Sequence, residues 1–203
     1  MSKGKDLKPH IGIFGRRNAG KSSFINALTG ADIAIVSDVA GTTTDPVKKS
    51  MEIFGIGPAV IIDTAGIDDE GELGKKRIAR TLQTISRIDC AILIISENRF
   101  GNDETGLIAN FRKANVPFLI VHNKSDLAAL KTGTIKKIRA VTDASVTEFS
   151  SVTHMNNDAV IAAIKGTIPE TAYTRSSLFS GLLKRGDVVM LITPVDSEAP
   201  EGR

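Results

Sequence analysis

A glycine-rich loop connects an aliphatic run at residues 10–14 to an amphipathic run at residues 21–28. The loop, residues 15–22, reads G-R-R-N-A-G-K-S and matches the pattern G-x-x-x-x-G-K-[ST]. Gly15 and Gly20 let backbone N–H groups turn inward around phosphate oxygens. The helix expected after the loop adds free N–H groups and the positive end of its dipole. A chance glycine-rich turn is the alternative, but the strand–loop–helix context favours a phosphate-binding loop.

Four further residues of this loop and of the helix start are predicted to contact a nucleotide. Lys21 would place a point charge beside the β- and γ-phosphates, which makes it a predicted catalytic residue as well. Ser22 would offer its hydroxyl to Mg²⁺. Ala19 and Ser23 stand within and just after the motif, and we count both among the nucleotide contacts.

A second motif, D-T-A-G at residues 63–66, follows the aliphatic run 58–62. A carboxylate at the carboxyl end of a strand next to the loop strand can hold Mg²⁺ through water, which assigns Asp63 to the metal. Gly66 can bring its backbone N–H to the γ-phosphate, so it is a predicted catalytic residue. A D-x-x-G sequence alone is often an ordinary turn, and its position one strand after the glycine-rich loop is what supports this role.

A third motif, N-K-S-D at residues 123–126, ends the aliphatic run 116–121. The Asp126 carboxylate can accept from both the ring N1–H and the exocyclic amine of guanine, a donor pair that adenine lacks. Lys124 can lie over the base with its apolar stem, and Asn123 completes the motif. The motif therefore predicts that the chain binds GTP and GDP. A further segment, Ser150, Ser151 and Val152, follows the last predicted strand and is predicted to support the base with a backbone N–H. The alternative is an ordinary loop, which is what most Ser-Ser pairs are.

A threonine-rich segment, A-G-T-T-T-D at residues 40–45, lies between the first helix and the second strand. A threonine here can bring a hydroxyl to Mg²⁺ and a backbone N–H to the γ-phosphate, so that the loop loosens after hydrolysis. An ordinary threonine-rich loop is the alternative interpretation.

The pattern of the whole chain alternates short aliphatic runs with amphipathic stretches, which is typical of repeated strand–helix units. Strands are predicted at residues 10–14, 47–54 (an edge strand), 58–62, 90–95, 116–121 and 146–149. Helices are predicted at residues 21–28, 73–87, 103–114, 134–141 and 157–165. These elements predict an α/β P-loop NTPase fold, a doubly wound and mostly parallel six-stranded sheet with helices on both faces. Such a sheet binds its ligand outside the carboxyl ends of its strands.

The composition, 41% hydrophobic and 24% charged, is that of a soluble globular protein. Aromatic residues make up only 4%, so we expect a core of Ile, Val, Leu and Ala. Because no apolar run approaches the roughly 20 residues that span a bilayer, we expect no membrane partner. Residues 1–9 lack the pattern of a signal peptide, and the protein is expected to be cytoplasmic.

Cysteine content and net charge narrow the kinds of site that the chain can hold. Cys90 is the single cysteine, which excludes an intrachain disulfide and a multi-thiolate zinc or iron–sulfur site within this chain. Its place in an aliphatic run predicts a small buried core residue. The net charge of +3 is spread over several clusters. Nucleic acid is not an expected partner, because aromatic stacking residues are scarce.

The motifs, in this order and at these separations, resemble those of the translation-factor-related GTPases over about residues 8–168. Within them, the sequence resembles the potassium-dependent group that includes Era, the tRNA-modifying GTPase MnmE and the hydrogenase maturation GTPases (HydF). This resemblance implies that Thr43 binds Mg²⁺ and takes part in catalysis, and that Asn18 is a K⁺ ligand. Ile67 stands where Ras-like proteins have a water-orienting glutamine, so another group must position water. Glu70 or Glu72 can do so through an intermediary, or both can be ordinary solvated loop residues.

Among that group, the HydF family shares most with the sequence, namely the stretches at residues 15–23, 39–47 and 186–196. The resemblance implies a GTP-binding domain at residues 1–168. Residues 169–203 would then be a linker and, at 187–192, the first strand of a truncated dimerisation domain. The implied partners are maturation proteins or the hydrogenase apoprotein, together with a possible homodimer. The cluster-binding cysteines of that family are absent, so scaffold activity does not carry over.

Three functions compete at this stage. The first is slow, potassium-stimulated GTP hydrolysis that acts as a switch in [FeFe]-hydrogenase active-site maturation. The second is an RNA- or ribosome-associated GTPase of the Era kind, in which GTP controls docking. The third is a nucleotide-binding scaffold with negligible turnover. No KH-like G-x-x-G basic segment follows the domain, which favours the first over the second.

Overall fold

A computed structural model describes residues 8–29, 47–53, 55–64 and 81–172 of the 203-residue chain. Several predicted features lie outside the described residues. They are the threonine-rich loop with Thr43, the stretch that holds Gly66, Ile67, Glu70 and Glu72, and the predicted strand at residues 187–192.

Six strands lie in one sheet: β1 (His10–Gly15), β2 (Val47–Ile53), β3 (Gly57–Asp63), β4 (Cys90–Ser96), β5 (Phe118–Asn123) and β6 (Val146–Glu148). Their order is β2-β3-β1-β4-β5-β6. The edge strand β2 runs antiparallel to β3, and the other neighbours are parallel. The prediction of a mostly parallel six-stranded sheet with 47–54 at its edge is confirmed.

Four α-helices with defined bounds accompany the sheet in the described residues: α1 (Lys21–Thr29), α2 (Asn102–Lys113), α3 (Thr132–Arg139) and α4 (Asn157–Thr167). Residues 81–85 are also helical, and a 3₁₀ turn follows at Glu170–Ala172. The predicted helix 73–87 ends earlier than expected, because the Arg87 N–H bonds to the Thr84 carbonyl oxygen at 2.9 Å and tightens the chain into a turn.

Two apolar layers cover the two faces of the sheet, as a doubly wound fold requires. One layer joins Phe24 of α1 and Val160 of α4 to Ile11 and Ile13 of β1. The other joins Phe111 of α2, the α3 residue Ile138 and the helical segment 81–85 to the opposite face. The core is less purely aliphatic than expected, since four phenylalanines are fully buried: Phe14, Phe24, Phe111 and Phe149. They pair edge to face, Phe14 with Phe111 and Phe24 with Phe149.

Strand β5 begins two residues later than the predicted run 116–121 and ends two residues later. Val116 lies just beyond α2 and closes the turn that ends it, because its N–H bonds to the Phe111 carbonyl oxygen at 2.9 Å. Pro117 has no N–H to donate to a neighbouring strand. The shift puts Asn123 inside the strand as its last residue, so that the strand itself fixes this side chain.

Cys90, the first residue of β4, is fully buried, which confirms its prediction as a core residue. Burial, together with the nearby Asp89 carboxylate, raises the pKa of its thiol to about 12. Within the described ranges, no helix has the length and apolar character needed to cross a membrane.

Candidate functional site

The predicted site residues gather at the edge of the sheet where the parallel strands end. Gly15 is the last residue of β1, Asp63 of β3 and Asn123 of β5, and α1 begins at Lys21. Because β1 is flanked by β3 and β4, the glycine-rich loop lies in the middle of this edge. The arrangement is the one in which open α/β sheets bind ligands.

Both glycines of the loop are required by backbone shape and by space. Gly15 has φ +147° and Gly20 has φ +90°, angles that residues with a side chain rarely adopt. A Cβ at Gly15 would collide with the carbonyl oxygen of Ile94, and a Cβ at Gly20 would collide with the side-chain amide of Asn123. The loop therefore passes neighbouring elements at backbone distance.

The amino group of Lys21 lies over the loop that precedes it. Its Nζ donates to the carbonyl oxygens of Gly15 at 3.1 Å and Arg16 at 2.9 Å. Ser22 and Ser23 are exposed on the first turn of α1, and Ala19 is buried beneath the loop. The structure thus brings a cation, a hydroxyl and the backbone N–H groups of a helix start together, a combination suited to phosphate oxygens.

Asn18 stands at the outer bend of the loop. Its φ of +62° is left-handed, a conformation that asparagine tolerates better than most residues. Its side chain is exposed. Asn18 also lines a cavity of about 300 Å³ that opens beside the loop, with walls from residues 16–19, 94–97, Arg99 and Glu104. Neither Lys21 nor Asn123 lines this cavity, so it lies beside the predicted phosphate site.

An ion pair that the sequence did not predict ties the loop to α2. The Arg16 guanidinium donates from Nε to Glu104 Oε1 at 2.7 Å and from Nη2 to Glu104 Oε2 at 3.1 Å. A second carboxylate, Asp103, lies 3.0 Å from Nη2. Glu104 is buried and also accepts the Gly101 N–H at 2.7 Å, which caps α2. An acidic residue in a first helical turn was visible in the sequence, but its partner 88 positions away was not.

The D-T-A-G motif is joined to β1 at its threonine. Thr64 donates from Oγ1 to the Ile13 carbonyl oxygen at 2.6 Å and from its N–H to the same oxygen at 3.3 Å. Asp63 stands opposite Ile13 in the strand pairing, two residues before Gly15. One of its carboxylate oxygens is buried. This end of β3 is therefore held beside the glycine-rich loop.

Asn123 links three of the loops that carry predicted site residues: its own, the glycine-rich loop and the segment that holds Ser151. Its amide nitrogen donates to the carbonyl oxygens of Ala19 at 3.1 Å and Gly20 at 3.3 Å. Its amide oxygen accepts from Ser151, from the hydroxyl at 2.9 Å and from the N–H at 3.3 Å. The side chain is buried, so Asn123 holds the loops together.

Lys124 and Asp126 lie in a hydrogen-bonded turn that follows Asn123. Lys124 has φ +60°, and its Cε lies 3.8 Å from where a Cβ on Gly20 would be. Its carbonyl oxygen accepts the N–H groups of Leu127 at 3.0 Å and Ala128 at 3.1 Å. Asp126 is exposed within this turn. The carboxylate and the lysine stem therefore stand at the same end of the site.

The segment Ser150–Val152 forms its own turn at the other side. The buried Ser150 hydroxyl accepts the N–H groups of Val152 at 3.3 Å and Thr153 at 3.2 Å. Val152 itself is 79% exposed, and so is Leu127 at 78%. One exposed apolar side chain thus stands at each of the two predicted base-contacting segments.

The residues present fit a magnesium ion by their chemistry. Ser22 supplies a hydroxyl at the start of α1, and Asp63 supplies a carboxylate at the end of β3, where Thr64 anchors the backbone. Mg²⁺ prefers such hard oxygen ligands, together with substrate phosphates and water.

Comparison with known proteins agrees with this geometry. The sequence profile of a family described as 50S ribosome-binding GTPase matches residues 10–124. The chain is 41% identical over 125 residues to the tRNA modification GTPase MnmE of Chromobacterium violaceum, covering 61% of this chain and 28% of that protein. It is 43% identical over 123 residues to MnmE of Paraburkholderia xenovorans, covering 60% of this chain and 26% of that protein. The chain matches only about a quarter of the length of these relatives.

Solved structures share the fold. The structure of Aquifex aeolicus Era bound to GDP and AlF₄⁻ matches 79% of this chain and 57% of its own, with a TM-score of 0.64 and 23% identity. The G domain of the Thermotoga maritima (T. maritima) iron transporter FeoB matches 80% of this chain and 99% of its own, with a TM-score of 0.59 and 20% identity. Since the family profile covers more than half of the sequence, the chain belongs to the family of 50S ribosome-binding GTPases and carries a GTP-binding, GTP-hydrolysing domain of the Era and MnmE type.

Proposed function

We propose that this domain grips the triphosphate of GTP with the loop 15–22 and inspects its base with Asp126. The observation that carries the proposal is the shape of the loop at Gly15 and Gly20, where neighbouring groups leave no room for a side chain. Such a loop brings backbone N–H groups to within reach of a ligand. The Lys21 amino group at its mouth would exchange carbonyl partners for the β- and γ-phosphates.

Guanine would be read at the opposite end of the site. The exposed Asp126 carboxylate would accept from N1–H and from the exocyclic amine, and the Lys124 stem would pack on the ring. The segment Ser150–Val152 would border the base, with its backbone fixed by Asn123 and by its own turn. Losing a bidentate contact of this kind leaves polar groups unpaired, which is why such sites discriminate strongly.

Ser22 and Asp63 would hold Mg²⁺, together with Thr43, which the resemblance assigns to the same ion. When bound, Mg²⁺ would offset charge on the β- and γ-phosphates. Gly66 would approach the γ-phosphate with its N–H. Ile67 cannot orient water, so Asn18 is proposed to hold K⁺, which stabilises charge where other GTPases use an arginine. The support is the family resemblance and the exposed position of Asn18 on the loop.

Calorimetry with Mg²⁺ tests the binding proposal directly. We expect uptake of GTP and GDP and much weaker uptake of ATP at the same concentration. Asp126→Asn should weaken GTP binding and admit xanthosine triphosphate, because an amide donor then faces the 2-oxo group of xanthine. Equal uptake of ATP by the unchanged protein, or an unchanged guanine preference in the variant, would contradict the base-reading role.

Hydrolysis in potassium and in sodium buffers tests the catalytic proposal. We expect faster turnover in K⁺, and we expect Asn18→Ala to remove the difference while nucleotide binding remains. Arg17→Ala is a matched control, since Arg17 is an exposed neighbour in the same loop. Equal rates in both salts would remove the role of Asn18, and background rates in both would favour a nucleotide-binding scaffold.

For the wider role, we propose a switch in [FeFe]-hydrogenase active-site maturation, supported by the HydF-like stretches at residues 15–23, 39–47 and 186–196. An RNA-associated role is the second candidate, because the curated relatives are named as tRNA modification GTPases and another solved Era structure contains 16S ribosomal RNA. Turnover in the presence of RNA separates the two. Stimulation by RNA, with salt-sensitive binding, would favour the second role.

A further inference from the structure

A buried histidine stands directly before the base-reading motif. His122 is the penultimate residue of β5, and its side chain is fully buried. Its Nδ1 lies 2.9 Å from the Ser125 hydroxyl, and its Nε2 accepts the Asn98 N–H at 3.3 Å. The ring therefore bridges the turn after β5 and the turn after β4.

The hydrogen bonds around the ring determine its protonation. The Ser125 hydroxyl donates its single proton to the His122 carbonyl oxygen at 2.9 Å, so it must accept from Nδ1–H. Nε2 must then carry a lone pair, because it accepts the Asn98 N–H. A second ring proton would face that N–H donor to donor. Burial lowers the pKa of His122 and favours the same neutral ring, against the opposing influence of Glu148.

Asn98 holds the far side of the base-reading turn. Its amide nitrogen donates to the Ala129 carbonyl oxygen at 3.0 Å, and its amide oxygen accepts the Lys131 N–H at 2.7 Å. The near side is held by Ser125, whose N–H donates to the Phe149 carbonyl oxygen at 3.0 Å. Both ends of the turn that contains the exposed Asp126 are thus tied to neighbouring loops.

We infer that Ser125, held by the neutral His122 ring, is a positioning residue that sets the angle at which Asp126 meets guanine. The inference rests on the proposed role of Asp126. A bidentate contact needs both of its hydrogen bonds near linear, and hydrogen bonds weaken steeply as the angle closes. The serine occupies the position that the N-K-x-D motif leaves open, and in this chain that position holds the turn in place.

Measured affinities of the 203-residue protein for GTP and ATP test the inference. Ser125→Ala should weaken GTP binding by roughly 5- to 10-fold, the loss of about one hydrogen bond, and should leave the weak ATP binding unchanged. Ser125→Thr keeps the hydroxyl and should retain the preference for GTP over ATP. Ser86→Ala is the matched control, since its hydroxyl also donates to a backbone carbonyl oxygen, that of Gln83 at 2.9 Å, on the exposed surface.

A double-mutant cycle shows whether the serine acts through Asp126. In an Asp126→Ala background, Ser125→Ala should cause no further loss of GTP affinity. Full additivity, or an equal loss for GTP and ATP, would overturn the positioning role. Asp126→Ala alone tests the base-reading proposal, which fails if this variant keeps the preference for GTP over ATP. If that preference is lost but the cycle is fully additive, only the positioning role of Ser125 fails. His122→Phe, which keeps an aromatic ring but removes both ring hydrogen bonds, should give the same selective loss.

Discussion

The side-chain amide of Asn123 donates a hydrogen bond to the carbonyl oxygen of Ala19, 3.1 Å away across 104 positions of sequence. The bond joins the motif predicted to read the base to the loop predicted to hold the phosphates. Because the same side chain also accepts from Ser151, one amide fixes the spacing between the two ends of the nucleotide site. The first residue of the motif thus makes a structural contact inside the protein.

Replacing Asn123 with alanine should affect both stability and binding. The change leaves the Ala19 carbonyl oxygen and the Ser151 N–H and hydroxyl without the hydrogen bonds that the Asn123 amide makes to them. We therefore expect the free energy of unfolding to fall by about 1–3 kcal/mol. Urea denaturation measures this, and GTP titration measures the accompanying loss of affinity. Asn110→Ala, a half-buried asparagine on α2, is the control and should change neither quantity by a comparable amount.

Gly20→Ala should prevent the loop from adopting its described shape. The φ of +90° and the collision with the Asn123 amide act together, so we expect a cost of about 1–3 kcal/mol in stability and a severe loss of GTP binding. Gly106→Ala is the control, because no atom lies within 4 Å of a Cβ at that helical glycine. Normal GTP binding by Gly20→Ala would show that the loop tolerates another path.

The Arg16–Glu104 pair should matter more than the neighbouring Arg16–Asp103 pair. Glu104 is 1% exposed and Asp103 is 42% exposed. Glu104→Gln removes the buried one of the two carboxylates that pair with the half-buried Arg16 guanidinium, and we expect a loss of about 1–3 kcal/mol in the free energy of unfolding. Asp103→Asn should cost less than about 1 kcal/mol. Equal losses in thermal or urea unfolding would contradict the difference in burial.

Cys90 should be inert in the folded protein. Its thiol is buried and its pKa is raised to about 12, so the reactive thiolate is scarce at pH 8. We expect negligible maleimide labelling without denaturant and complete labelling in guanidinium chloride. Mass spectrometry measures the extent of labelling. Fast labelling of the native protein would show that β4 opens far more readily than its burial indicates.

The pH dependence of stability should include a contribution from His122. Burial lowers the pKa of His122 in the folded state below its ordinary value of 6.5. As the pH falls through 6.5, the unfolded chain binds the proton first, so stability falls with decreasing pH. The loss between pH 7.5 and 5.5 should be smaller in His122→Phe than in the unchanged protein. Identical losses, measured by urea denaturation, would contradict the lowered pKa.

Local pattern sufficed to predict much of the fold. In the part of the chain that the structure describes, aliphatic runs and the 3.6-residue period located the six strands and the helices, because these signals depend only on neighbouring residues. Errors arose at the ends of elements. Strand β5 begins and ends two residues later than predicted, because Val116 closes the turn after α2 and Pro117 has no N–H. The hydrogen bonds that end the helix thus override the apolar run.

The candidate site was predictable where a motif has fixed spacing and was not predictable where distant residues meet. The glycine-rich loop and the motif at residues 123–126 were found because each is contiguous in sequence. The pairing of Arg16 with Glu104 and the position of His122 against Asn98 were missed. Periodicity tells which face a side chain occupies, but not which residue from another strand or helix it contacts there.

The parallel arrangement of the sheet also leaves several turns at the edge opposite the predicted nucleotide site. The turns at residues 55–56, 114–117 and 141–145 precede β3, β5 and β6, so they lie at the edge remote from the predicted nucleotide contacts. At Gly57, which begins β3, an added Cβ would meet no atom within 4 Å. A fluorophore, an affinity tag or a surface tether placed in these turns would leave the working edge accessible, which makes them the natural attachment points for single-molecule studies.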